Sequence, residues 1–510
     1  MERILYMKNK LKWIHPALKN YHHSDRAGWV ACSCIQKGAR KMRLIDAMRQ
    51  NDTFTENLMP THSTSLDRCV DLFAGIGSAR NWSKDEIESA FVRAFEQEPL
   101  IAMKILFWAR DVRGGAGERH VFRVITEYMD CNPNYDWVLY KNIGLIPEYG
   151  RWDDLFKLNE EYVLDIIKHA LLEHKNGLLA KWLPRKGEFA NKVRRYLDMT
   201  PKAYRKLIVG LSNTVEQKMC AKEWEGITYE HVPSVAMNKY RKAFKRNDEQ
   251  RFSDFINAVV KGETSIKAGT LFPYQLYQAY KRRENEKAIE AQWMNLPNYM
   301  EGNPHRILPM CDTSGSMTTN YGGFNTNLVP MDISVSLGIY ISERNEGIFK
   351  DAFLTFSRKP QMQYLKGSFT ARCKQLEKAH WEMNTNLEAA FNLLLRKGLE
   401  FNISQKNMPN MILIISDMQF DRCVRQPNSN ALQMIKNQYE ASGYEFPKVI
   451  FWNVNARVGK MPVSYKDENT GIVSGCSPAI LTAILSGDSL TPRDLMLRTI
   501  NVPRYEAITV

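Results

Sequence analysis

Three short segments in the C-terminal half of the chain carry oxygen-bearing side chains at spacings that let them share one cation. Asp312, Ser314 and Ser316 form a D-x-S-x-S array directly after the apolar run Arg306–Cys311. Thr385 stands in Met383-Asn384-Thr385-Asn386-Leu387, ahead of an amphipathic stretch, and Asp417 ends the run Leu413-Ile414-Ile415-Ser416. Hydroxyls with few carboxylates, and no His or Cys, suit a hard divalent ion, Mg²⁺ before Ca²⁺ or Zn²⁺. In a turn, alternate side chains of D-x-S-x-S can aim at one point, and Gly315 permits the tight backbone. Ser and Asp also populate strand-to-helix loops as plain turn and N-cap residues. That explanation accounts for one such segment better than for three in order on successive strand ends. A site with few carboxylates leaves its ion positively biased, so it can accept an acidic group from a protein partner.

Those segments need a scaffold, and the pattern after Pro297 provides one. Apolar runs at Arg306–Cys311, Asp351–Phe356, Met411–Ile415 and Lys448–Val454 read as strands. Longer periodic stretches, Met331–Ile341 and Leu387–Leu399, separate them as helices. The alternation predicts a parallel, doubly wound α/β sheet, whose ligands sit beyond the carboxyl ends of the strands. All three oxygen-bearing segments fall at such ends.

Upstream the reading is different. From about Leu66 to Tyr280 helix follows helix: a capping box at Ser83-Lys84-Asp85-Glu86, then Leu100–Ala109, His120–Met129, Tyr162–His174, Pro201–Val209 and Val235–Phe244. This predicts an all-helical region of stacked helix pairs, without a repeat of fixed length. Charge divides in the same way. Residues 301–510 hold 22 Lys/Arg and 19 Asp/Glu, net +3, while the first 300 hold 48 and 37, net +11. A basic part joined to a nearly neutral one points to a polyanionic partner for the first, although a merely solvated face has the same composition.

Three polar segments of the helical part suit nucleic acid, although Arg110, Asp111, Glu118 and Arg119 can equally pair among themselves to pin the turn between them, and tryptophans beside basic residues are more commonly core residues with solvated neighbours. Arg110, Arg113 and Arg119 surround the Gly-rich turn Gly114-Gly115-Ala116-Gly117, where backbone N–H groups and guanidinium forks can meet phosphate. No Lys-Ser/Thr follows Gly117, so this is not a P-loop. Arg151 and Trp152, then Lys181, Trp182, Arg185 and Lys186, put tryptophan beside basic residues, a pairing that stacks a base and holds its phosphate. Lys202, Arg205 and Lys206 add charge at a helix start.

The set Asp312, Ser314, Ser316, Thr385 and Asp417 resembles the metal-ion-dependent adhesion site of von Willebrand factor A domains, and the resemblance covers roughly 303–510. A basic helical domain before such a module is similar to the Ro autoantigen (TROVE) architecture. Arg110–Arg119, Gly150–Asp154, Trp182–Gly187, Leu197–Lys206 and Ser416-Asp417-Met418-Gln419-Phe420-Asp421 resemble an uncharacterised family of large DNA viruses, phages, plants and fungi. The resemblance to Ro implies non-catalytic binding of small structured or misfolded RNAs through helical repeats. The expected organisation is a basic extension over 1–54, a helical TROVE-like domain over 55–300 and a von Willebrand factor A domain over 303–510. The competing expectation is a protein-interaction scaffold whose metal captures a partner's carboxylate, without RNA.

Composition and motifs exclude other classes. Apolar residues at 44% and charged residues at 25% are globular values, and the longest uncharged apolar run is far short of the ~20 residues a membrane helix needs. Nine dispersed cysteines and a basic N-terminus without an apolar core lead us to expect a soluble, cytoplasmic protein. Val70-Asp71-Leu72-Phe73-Ala74-Gly75-Ile76-Gly77 matches the cofactor loop of cytosine-5 DNA methyltransferases, but none of the cysteines follows a proline, as that nucleophile must. The segment is read instead as a hydrophobic helix and a turn.

Overall fold

The computed structural model describes residues 53–55, 59–318, 328–356, 360–377, 386–420, 431–455, 460–486 and 490–510. Thr385, and residues 1–52 of the basic extension, lie outside the described residues. A short antiparallel pair, β1 (Thr53–Phe54) and β2 (Pro60–Thr61), leads into the helices.

The helices start where local chemistry starts them. Asp67 caps α1 (Arg68–Gly75), accepting from the N–H groups of Cys69 and Val70. Ser83 and Glu86 close the expected capping box of α2 (Lys84–Gln97), Glu86 Oε2 accepting from Ser83 N at 2.8 Å. Next come α3 (Pro99–Arg110) and α4 (Arg119–Asp130), the latter burying Val121, Phe122, Ile125 and Met129 on one face. Phe73 of α1 lies 4.6 Å from Trp108 of α3, and Phe107 meets Phe122 edge-on at 5.7 Å. Full burial of such a side chain contributes up to about 3 kcal/mol. The region continues through α5 (Glu160–Leu172), α6 (Gly177–Trp182), α7 (Pro201–Leu211), α8 (Ser234–Asn247), α9 (Pro273–Lys281) and α10 (Glu286–Met294). Thr200 caps α7 ahead of Pro201 at the first helical position, as the sequence predicts.

A six-stranded sheet follows, made of β3 (Ile307–Asp312), β4 (Ala352–Phe356), β5 (Gln361–Tyr364), β6 (Met411–Ser416), β7 (Lys448–Asn453) and β8 (Thr470–Ser474). Their order is β5-β4-β3-β6-β7-β8. Every neighbouring pair is parallel except β4–β5, so the sheet is mixed, not wholly parallel as expected. Only four residues separate Phe356 from Gln361, too few for the crossover that a parallel pair requires. The apolar pattern also misses β5 and β8. Gln361 and Tyr364 are exposed on an edge, and the five residues of β8 include Gly471. The sheet is flanked by α11 (Pro330–Arg344), α12 (Phe369–Leu376), α13 (Leu387–Glu400) and α14 (Pro492–Ile500). Gly338 of α11 lies so close to β3 that a Cβ there would meet Cys311 Sγ at 2.4 Å.

One apolar core runs through the first helices and the sheet, and a smaller one gathers Ile227, Tyr229, Phe244, Phe252 and Ile256. The two halves are joined at several places, two of which bear on the sheet and its flanking helices. At the first junction, Asn453 Nδ2 donates to Ala74 O at 3.0 Å, Ser474 Oγ to Phe73 O at 2.9 Å, and Gly77 N to Ser474 Oγ at 3.0 Å. At the second, Trp293 stacks on Phe369 at 3.8 Å, Glu290 accepts from Thr370 N at 2.7 Å, and Lys281 pairs with Asp332 at 2.8 Å. Thus the Asp71–Gly77 segment is a helix and turn, and it docks on the ends of β7 and β8. No described helix is long and apolar enough to cross a membrane.

Candidate functional site

Two neighbouring strands bring the oxygen donors together. β3 and β6 pair in parallel with Cys311 opposite Ile415, so Asp312 and Asp417 emerge side by side at the carboxyl edge. Both strands are buried along their whole length, which is why their sequences are nearly continuous apolar runs. Asp312 Oδ1 accepts from Ser314 N at 2.9 Å and Oδ2 from Ser416 Oγ at 2.5 Å. The hydroxyls of Ser314 and Ser316 are 3.0 Å apart, and Asp417 Oδ1 accepts from Gln419 N at 3.2 Å. Met418, at φ +64°, takes the left-handed turn that lets its own N–H return to Ser416 Oγ at 3.0 Å.

The two carboxylates act on each other electrostatically. Asp312 and Asp417 are almost wholly shielded from water. Burial and the charge of Asp417 push the Asp312 carboxyl up to about 7. Two buried carboxylates with adjacent hydroxyls make an oxygen-only donor set, and a divalent ion there would offset their repulsion. Asp312, Ser314, Ser316 and Asp417 lie at the neighbouring carboxyl ends of β3 and β6, while Thr385 lies outside the described residues. The carboxyl ends of β7 and β8 are covered by the residues around Ala74 and Gly77.

The twelve basic and aromatic residues proposed for nucleic acid fall into two groups. Arg113, Arg119, Arg185, Lys186, Lys202, Arg205 and Lys206 are exposed, and none pairs with a carboxylate among the described residues. The second group is engaged in structure. Arg110 is a correction: it is 1% exposed and its guanidinium is taken by buried Asp154 at 2.7 Å, so it cannot meet phosphate directly. Trp152 is half-buried against the core, and Lys181 pairs with Glu216 at 3.3 Å. Arg151 lies over the Trp182 ring at 4.2 Å, so one face of that indole is already covered.

Sequence reasoning misses several residues of this region. Arg123 bridges Asp153 and Asp154 at 2.9 and 2.7 Å, one helical turn beyond Arg119 on α4, a spacing that flags a shared face. On α8, Lys239, Lys242, Lys245 and Arg246 are exposed without carboxylate partners among the described residues. Their i, i+3, i+6 spacing was the available signal. Asp111 accepts from the side chains of Arg504 and Tyr505.

Comparison with known proteins matches two family models to parts of this chain. Residues 306–501 match the model of a domain of unknown function (DUF7788), and residues 55–132 and 167–303 match that of another (DUF2828). The solved structure of the Deinococcus radiodurans Ro (RSR) protein is similar over 83% of this chain and 93% of its own, at 10% identity and a TM-score of 0.34, a level that defines no residue correspondences. "Uncharacterized protein L728" of Acanthamoeba polyphaga mimivirus is 25% identical over 512 residues, 88% of this chain and 87% of its own. By sequence, then, the chain is similar to this viral protein over nearly its whole length, with a DUF2828-like helical region preceding a DUF7788-like sheet domain.

Proposed function

We propose that the protein is a non-catalytic, Ro-like RNA-binding protein whose helical region takes the RNA. Its sheet domain, on this reading, is a von Willebrand A-type module with a Mg²⁺ site. The observation that carries the RNA reading is the exposed basic set on the helical region, Arg113, Arg119, Arg185, Lys186, Lys202, Arg205 and Lys206, without carboxylate partners among the described residues. Solvent-facing cations whose charge no carboxylate offsets are available to phosphates, and releasing counterions from RNA supplies the driving force. The convergence of Asp312, Ser314, Ser316 and Asp417 supports the metal reading; these residues would hold the ion, with Thr385 as the expected fifth donor. Bound Mg²⁺ supplies a positive charge that can hold a carboxylate of a partner protein. The test is binding of labelled single-stranded RNA to the full-length protein across a salt series. Salt-dependent binding is expected; its absence overturns the reading in favour of a protein scaffold.

A further inference from the structure

Three arginines of the helical region share two carboxylates, and a fourth stands beside them. Arg110 and Arg123 each lie 2.7 Å from an oxygen of Asp154, and Arg123 and Arg151 reach Asp153 at 2.9 and 3.1 Å. Arg119, the first residue of α4, lies four residues before Arg123 on the same face of that helix. Partial burial, then the charges of Arg151 and Arg110, bring its guanidinium down to about 10. The nearby Glu118 offers no relief, because Arg80 holds it at 2.5 Å. Two positive charges therefore remain uncompensated in a partly enclosed place, where like charges repel more strongly than in water. The group is still open to solvent: Arg119 is exposed, and the Arg123 and Arg151 side chains keep 23% and 26% of their exposure. Stacking on Trp182 sets the plane of Arg151 in advance.

We propose that Arg119 and Arg151, backed by Arg123, form a receptor for a phosphomonoester dianion, the terminal phosphate of an RNA. The source of the phosphate rests on the RNA reading above; the receptor itself rests on the arginine group. An internal phosphodiester brings a single negative charge, whereas a terminal monoester brings about −1.5 to −2 and three acceptor oxygens. That matches two uncompensated charges and the parallel donors of guanidinium forks.

The test uses the full-length protein with one oligoribonucleotide carrying a 5′-phosphate, a 3′-phosphate or hydroxyls at both ends, and with inorganic phosphate in a thermal-shift series against chloride. One phosphorylated end should bind about ten-fold more tightly than the hydroxyl-ended oligomer. Arg119→Gln, a change at an exposed side chain, should remove both that preference and the phosphate-induced rise in melting temperature. Lys397→Gln on α13 should leave them intact. Equal affinity for all three oligomers overturns the receptor and leaves the RNA reading standing. A phosphate response lost in Arg119→Gln without any RNA binding keeps the receptor and removes the RNA reading. A response that survives in Arg119→Gln overturns the assignment.

Discussion

Arg504 holds both carboxylate oxygens of Asp111, a contact between residues 393 apart in sequence. Asp111 is fully buried at the end of α3, and Tyr505 donates to the same carboxylate at 2.9 Å. The pair fastens the last residues of the chain, beyond α14, to the Gly-rich turn that precedes Arg119. Tyr149 Oη donates to Arg504 O at 2.6 Å, and Asn142 exchanges two hydrogen bonds with Thr509. Arg504→Ala leaves the buried carboxylate with Tyr505 and two backbone N–H groups. We expect a loss of about 2–3 kcal/mol, read as a lower urea midpoint at an unchanged slope.

Gly77 tests the first junction. A Cβ there would meet Gly475 N at 2.1 Å and its Cα at 2.6 Å, so Gly77→Ala must push α1 off β8. Destabilisation of about 3 kcal/mol is expected. Gly144→Ala, where nothing lies within 4 Å, should change stability little. Equal effects of the two substitutions would show that the close approach is not maintained.

The oxygen donors predict a stabilising response to Mg²⁺. At 100 times the dissociation constant the ion should contribute about 2.7 kcal/mol, seen as a rise in melting temperature. Asp312→Ala and Asp417→Ala should each abolish the rise. An unchanged response in both variants removes the site.

The same pair predicts a pH dependence in chelator. Folded Asp312 keeps its proton up to about 7, whereas in the unfolded chain an aspartate loses it near ~3.9. Between those values the folded state binds the extra proton, so stability falls as pH rises, on the order of 1 kcal/mol per unit. Melting temperature should therefore drop from acid to neutral pH, flatten in Asp312→Asn, and be restored at neutral pH by Mg²⁺. A flat profile in the unsubstituted protein contradicts the buried-pair account.

For RNA, contacts to some four phosphates give a slope of log affinity against log salt of about −3. Replacing Arg113, Arg119 and Arg185 together should flatten it. Trp182→Ala should weaken binding by roughly 1–3 kcal/mol if its open face stacks a base. Because Arg151 rests on that indole, the loss should be smaller in an Arg151→Gln background. These measurements call for the full chain, since the main core is continuous through the first helices and the sheet.

Local chemistry alone determined much of this molecule. Ser83 with Glu86, and Thr200 with Pro201, mark helix starts by backbone rules that need no distant partner. The buried strands Ile307–Asp312 and Met411–Ser416 are legible because both faces are covered, so their residues are apolar without alternation. From those two strands alone it followed that Asp312 and Asp417 share an edge. Tertiary structure decided the rest. Arg110 and Arg119 look alike in sequence, yet one is sealed against Asp154 and the other faces water, because Arg110 ends the buried helix α3 whereas Arg119 opens α4 at the surface. The antiparallel edge strand β5 carries too little apolar surface to signal itself, since one side of an edge strand is left to solvent. Val70–Gly77 carries the residues of a cofactor loop but lies on the ends of β7 and β8. Nothing within eight residues specifies Ser474 and Asn453 as its partners; contacts about 380–400 residues apart come from the packing of whole helices on a sheet.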